Sequence, residues 1–151
     1  MIKNEKEKLL SAIRLRLDAQ IETAQKAIDA AKSSKNNETK STAGDKYETG
    51  RAMMQIEQEK NEMQLQKTMH LKNQLGQIEI SQRLDRVRSG SLVIANNEKY
   101  FIAIGIGKIK LEEQQYFVIS PESPVGQLFL GKQKNEVVEF RGKRMTIHDI
   151  L

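Results

Sequence analysis

The first 88 residues contain no proline, and a seven-residue apolar repeat runs through their opening third. Leu10, Leu17, Ala24 and Ala31 recur at that spacing, Ile21 and Ile28 take the alternate seam positions, and Ile13 stands beside them. Charged residues flank the seam, so the pattern reads as the a/d repeat of a coiled coil. A stretch free of proline can stay helical over many turns. The seam shrinks from leucine to alanine toward residue 31, which lets a partner helix approach more closely there. Ser33 to Gly44 then form a polar, small-residue, turn-forming segment. A second helix is expected from about Asp45 to about residue 84, with apolar positions at Met53, Ile56, Met63, Leu71, Leu75 and Ile78, and Leu65 and Met69 beside them. This second seam is less regular, and methionine suits uneven gaps. Two helices joined by a polar turn most simply fold back on each other. About thirty residues at 1.5 Å each give an arm of roughly 45–50 Å. Such a pair buries little surface. It needs an anchored base, or a use as a probe, or helices of another copy to pair with.

Composition shifts near residue 88. Both prolines and six of the seven aromatics lie beyond it, Tyr47 being the exception. Leu92-Val93-Ile94-Ala95 followed by Asn96-Asn97 reads as a strand and a hairpin turn. Tyr100, Ile102, Ile104 and Ile106 alternate with Phe101, Ala103 and two glycines, which is strand periodicity. Tyr116 to Ile119 is another short strand. Ser123-Pro124 offers an N-cap and a first-turn proline, and Gly131 suits the C-terminus of a short helix. Glu136 to Phe140 and Lys143 to Leu151 form a final hairpin around Arg141-Gly142. The expected fold class is α+β: an N-terminal antiparallel helical hairpin over 1–84, with its tip near 33–48, and an antiparallel sheet with one short helix over 85–151.

Several chemistries are excluded. The chain has no cysteine, so no disulfide framework and no thiolate nucleophile. His70 and His148 are its only histidines, too few for a histidine-rich zinc site, and no serine, histidine and acid combination suggests a triad. Gly105-Ile106-Gly107-Lys108 lacks the spacing of a phosphate loop and carries Ile109 where a hydroxyl is needed. The charged N-terminal segment lacks the apolar core of a secretory signal, and the longest apolar run, Tyr100 to Gly107, is too short to span a bilayer. A cytoplasmic protein is expected. Its net charge of +5 fits a polyanionic partner without requiring one.

Asp45 and Glu48 are the most distinctive acids. Three apart on a helix, they share a face and could hold magnesium when a substrate phosphate completes the shell. The same spacing also resembles a capping box. Lys40, Lys46 and Arg51 lie around them and could meet a nucleic-acid backbone, and Tyr47 could stack on a base. For the cations a solvated coiled-coil flank is the better default, and for Tyr47 packing across the tip serves equally well. The residues alone give no self-contained active site.

Two segments resemble the Gre-type transcript cleavage factors of bacterial RNA polymerase. Gly44-Asp45-Lys46-Tyr47-Glu48 is similar to that family's Gly-Asp-Leu-Lys-Glu. Ile119-Ser120-Pro121-Glu122-Ser123-Pro124-Val125-Gly126-Gln127-Leu128-Phe129-Leu130-Gly131-Lys132 is similar to its Ile-Ser-x-x-Ser-Pro-[Ile/Leu]-Gly-x-x-Leu-Leu-Gly-Lys. Order, spacing and overall length agree as well. The resemblance implies a C-terminal domain of FKBP-like fold that docks on the RNA polymerase core beside its secondary channel. Ser120, Ser123, Pro124, Gly126 and Lys132 are the docking candidates. It further implies a hairpin that enters the channel, where Asp45 and Glu48 help hold a magnesium ion near the 3′ end of backtracked nascent RNA. The polymerase itself then hydrolyses the RNA, so the chain is not an enzyme alone, takes no small-molecule substrate and binds no cofactor in isolation. The family's Asn-Ala-Glu-Tyr after the acid pair is here Thr49-Gly50-Arg51-Ala52, which supports an alternative, a channel-binding regulator without cleavage activity. A third reading, a prolyl isomerase with a coiled-coil arm, lacks a tryptophan to floor a proline pocket.

Overall fold

The computed structural model describes residues 2–38, 44–81 and 85–151, with the side chains of 2–4, 34–38 and 44–48 left out. The chain forms two units: Leu15–Asn73, and Met1–Arg14 together with Gln74–Leu151. Two helices, a six-stranded sheet and one short helix make an α+β fold. No helix among the described residues is long and apolar enough to cross a membrane.

Helix α1 (Ile2–Glu38) follows its repeat. Within Leu15–Asn73 it buries Leu17, Ala24 and Ile28 and half-buries Ile21 and Ala31. It also remains helical beyond Ser33, where a turn was expected. Helix α2 (Gly44–Gly76) runs antiparallel to it, and Lys72 Nζ meets Asp18 Oδ1 at 2.6 Å. The expected α2 seam holds at Leu71, which is half-buried, and Leu75, which is buried, and is corrected before them. Met53, Ile56, Met63 and Met69 are exposed, at 66%, 64%, 73% and 53%. The more buried side instead carries Met54, Gln58, Asn61, Leu65 and Thr68. Local bonds make this possible: Thr68 Oγ1 donates to the Gln64 carbonyl at 2.9 Å, and Gln58 Nε2 donates to Glu62 Oε1 at 3.1 Å. The helix ends at Gly76 rather than near residue 84. There Gln77 N and Ile78 N donate to the Gln74 and Leu75 carbonyls at 3.1 and 3.2 Å, a tight three-residue closure.

The other unit holds β1 (Leu92–Ala95), β2 (Glu98–Ile102), β3 (Gly107–Leu111), β4 (Gln114–Ile119), α3 (Pro124–Phe129), β5 (Val137–Phe140) and β6 (Lys143–Ile150). Strand order is β3-β4-β2-β1-β6-β5. The sheet is mixed, not purely antiparallel as expected, because β2 and β4 pair in parallel from Lys99↔Tyr116 to Ile102↔Ile119. The cause is β3, an edge strand between them in sequence that was not anticipated. Its turn is formed by Glu112 and Glu113 at φ 50° and 69°, residues that give no turn signal. Asn96 and Asn97 do adopt the expected left-handed pair, at φ 48° and 64°. The strand expected through Ile106 stops at Ile102, and Ile104 is buried in the connection that follows.

Alternation gives the sheet two apolar faces. On one, Val93, Tyr100, Ile102 and Ile147 pack with Phe129 of α3, and the Tyr100 ring lies 5.1 Å from both Phe117 and Phe129. On the other, Leu92, Phe101 and Val118 are fully buried. The start of α1 lies over this second face: Glu5 Oε1 accepts from Lys99 Nζ at 2.5 Å and from the Tyr116 hydroxyl at 2.8 Å, both residues on the Phe101 and Val118 side of their strands.

Candidate functional site

The two candidate regions fall in different units. Asp45, Lys46, Tyr47 and Glu48 lie in the first turn and a half of α2, within Leu15–Asn73. Their side chains, and all of Lys40, are outside the described residues. The helical backbone begins at Gly44, so Asp45 is already inside the helix, at a spacing of three from Glu48. Two carboxylates at this spacing are oxygen donors suited to magnesium, which keeps most of its shell for water and substrate oxygens. Gly50 is half-buried and Arg51 exposed in the next turn. Among the described residues no three metal-ligating side chains converge.

The docking candidates are drawn together by one loop. The Ser120 carbonyl accepts from Ser123 N at 3.1 Å and from Ser123 Oγ at 2.7 Å. Ser123 Oγ in turn accepts from Gly126 N at 3.0 Å, capping α3, with Pro124 exposed at its first turn. Gly126 is buried, and a Cβ there would stand 2.0 Å from the Ser120 carbonyl oxygen. Ser120, Ser123 and Gly126 thus build the turn with their own polar groups. Helix α3 ends through Gly131 at φ +79°, as expected. Lys132 is half-buried, and its carbonyl accepts from Val87 N at 2.9 Å. Of these five residues, Pro124 and the Lys132 side chain are the ones the loop leaves for an outside contact.

Sequence reasoning missed the polar base of α1. Burial pushes the Glu5 carboxyl up, but the Lys99 and Tyr116 hydrogen bonds and the Lys99 charge outweigh it and hold its pKa below the ordinary 4.5. Tyr116 is raised correspondingly, by burial first and then by Glu5. Lys6, next in sequence, is 2% exposed. Burial, and then the charge of Arg88, lower its pKa. A lysine and a glutamate in a charged N-terminal run carry no signal of this. The contacts of Glu5 lie more than ninety positions away, at Lys99 and Tyr116.

His70 is exposed on α2, and His148 on β6. Between the helices a groove of about 420 Å³ is lined by Ala19, Thr23, Ala24 and Ala27 of α1 and by Asn61 and Gln64 of α2. No protein-family model matches the chain, and no curated protein is significantly similar to it.

Proposed function

We propose that this chain is a transcription elongation factor. It binds RNA polymerase at the secondary channel and promotes cleavage of backtracked RNA. The observation that carries this reading is the acid pair Asp45 and Glu48 at the start of α2, in a two-helix unit distinct from the sheet unit. The sheet unit supplies docking, with Pro124 and Lys132 available on the Ser-Pro-Val-Gly loop. The acids would complete the shell of a magnesium ion shared with the polymerase. Such an ion lowers the pKa of bound water and stabilises the leaving oxygen of a phosphodiester. Water then attacks phosphorus, and the bond to the upstream 3′ oxygen breaks, leaving a new 3′ hydroxyl.

The test is a stalled, backtracked polymerase complex carrying 5′-labelled RNA, with purified protein and magnesium. Shortened RNA is expected. The double variant Asp45→Ala/Glu48→Ala should lose at least about 100-fold in cleavage rate, as when charge stabilisation of a transition state is removed. Equal rates for variant and native protein reject the metal role. Thr49-Gly50-Arg51 favours a second reading, a channel regulator without cleavage activity. It predicts retained binding to the polymerase, competition with other channel proteins, and RNA of unchanged length.

A further inference from the structure

The exposed side of α2 has the pattern of an unused interface. Met53, Ile56 and Met63 occupy alternate a and d positions of a heptad and are 66%, 64% and 73% exposed. The remaining positions of the same stripe are Lys60, Lys67 and His70, all exposed. Lys60 and Lys67 form no ion pair with another described residue. A shallow groove of about 540 Å³ follows the stripe from Ile56 to Lys67. A stripe of apolar side chains and lysines fits a helix that offers lysine stems to the apolar positions and carboxylates to the ammonium groups.

We infer that the partner is a second copy of α2, packed antiparallel across this stripe. The pattern is self-complementary about the midpoint between Asn61 and Glu62. In an antiparallel pair each a position shares a layer with a d position of the other helix. The register that does this throughout sets Met53 against His70, Ile56 against Lys67, and Lys60 against Met63 of the other copy. Twofold symmetry repeats each layer. Ile56 and Met63 then each meet a lysine whose apolar stem can cover them with the charge turned outward, and Met53 meets the His70 ring. Exposed Glu57 lies on the side where the Lys67 ammonium of the other copy emerges, giving two symmetric ion pairs. Met53 to His70 spans roughly 27 Å of helix. That contact is smaller than the roughly 800 Å² per partner of a standard interface. Association is therefore weak, in the range of roughly 10 µM to 1 mM. The pairing uses no residue of the acid pair and needs no polymerase.

The absence of cysteine gives a clean test on the full chain. Ile56→Cys and Lys67→Cys are made separately, and both positions are exposed. In the proposed register, position 56 of one copy lies beside position 67 of the other and far from its own counterpart. Mixing the two variants under mild oxidation should give at least about ten times more disulfide-linked dimer than either alone, because pairing raises the effective thiol concentration. Sedimentation equilibrium of the native chain should show a reversible dimer. Lys67→Glu should abolish it by setting like charges together, and Glu57→Lys/Lys67→Glu should restore it. A monomer at roughly 1 mM, or equal crosslinking in mixed and separate samples, overturns the inference. So does a monomeric chain that binds a designed Leu/Glu amphipathic peptide through this stripe, which assigns it to an acidic helical partner instead.

Discussion

The two units pair their polar side chains in different ways. In the sheet unit several of the bonds are long-range: Glu5 accepts from Lys99 and Tyr116, and the Asn96 amide reaches the Arg144 carbonyl at 2.8 Å and the Thr146 N–H at 3.1 Å. In the helical unit the side-chain hydrogen bonds around the more buried side of α2 are local, as in Gln58 to Glu62, Gln64 to Thr68, and Thr68 to the Gln64 carbonyl, with the half-exposed Lys72–Asp18 ion pair the long-range exception. Long-range polar contacts specify one arrangement, because any other leaves them unpaired. Local i to i+4 bonds survive whichever way the helix is rotated. The sheet unit therefore fixes its own geometry, while α2 keeps an apolar stripe outward for another surface.

The difference is broken most severely at Gly126. An alanine there sets a Cβ 2.0 Å from the Ser120 carbonyl oxygen, with Ser123 Oγ at 2.9 Å and Pro121 Cα at 3.0 Å. Backbone must move, and the Ser120–Ser123–Gly126 turn opens. Gly126→Ala should cost at least about 3 kcal/mol. Thermal melting should show the sheet unit destabilised by roughly 10–20 °C. The helical unit contains no residue of that loop, so its signal should melt as before. A Tm within a few degrees of the native chain would show that the loop gives way freely.

The same site shows what a sequence can disclose. Ser123-Pro124, Gly131 and Asn96-Asn97 each answer a backbone demand that few residues meet, so their positions could be read directly. Asn135 at φ 75° takes a left-handed conformation that asparagine tolerates. Strand β3 was hidden because Glu112-Glu113 occupies its turn against preference. Its edge position, with exposed Lys108 and Lys110, also makes it polar and unremarkable. On α2 the heptad period was legible but its direction was not. Apolar residues occur on both sides, and only the contacts of the folded helix decide which side is covered. The acid pair was legible as a spacing. Which of its two chemistries applies depends on a partner outside the chain.

A smaller effect is expected at Glu5. Replacing it by glutamine removes the charge facing Lys99 but keeps an acceptor for Tyr116. The partners are partly buried, at 27% and 23% side-chain exposure. A loss of about 1–2 kcal/mol is expected at neutral pH. Its pH dependence follows from the depressed pKa. A carboxyl held below 4.5 in the folded chain contributes fully above that value and loses its contribution as pH falls through the folded pKa. Urea unfolding should therefore separate native protein from Glu5→Gln at pH 7, and the gap should narrow as pH falls below 4.5. A gap that does not narrow in acid would mean that packing, not charge, holds the base of α1.

The smallest effects sharpen the contrast, because they test which side of α2 is inside. Met53 is 66% exposed, so Met53→Gln should change stability by less than about 0.5 kcal/mol at micromolar concentration. Gln58 is half-buried, and its side-chain bond is to Glu62 one turn away, a contact water can replace. Gln58→Leu adds apolar surface where the helices meet and should stabilise the chain by about 0.5–1 kcal/mol. If the helix instead turned its methionines inward, both signs would change: Met53→Gln would open the seam, and Gln58→Leu would add one more exposed apolar side chain for no gain. Chemical denaturation of the two single variants decides between these orientations. The answer also bears on the twofold pairing, since α2 can offer Met53, Ile56 and Met63 to a second copy only if its own partner helix does not already cover them.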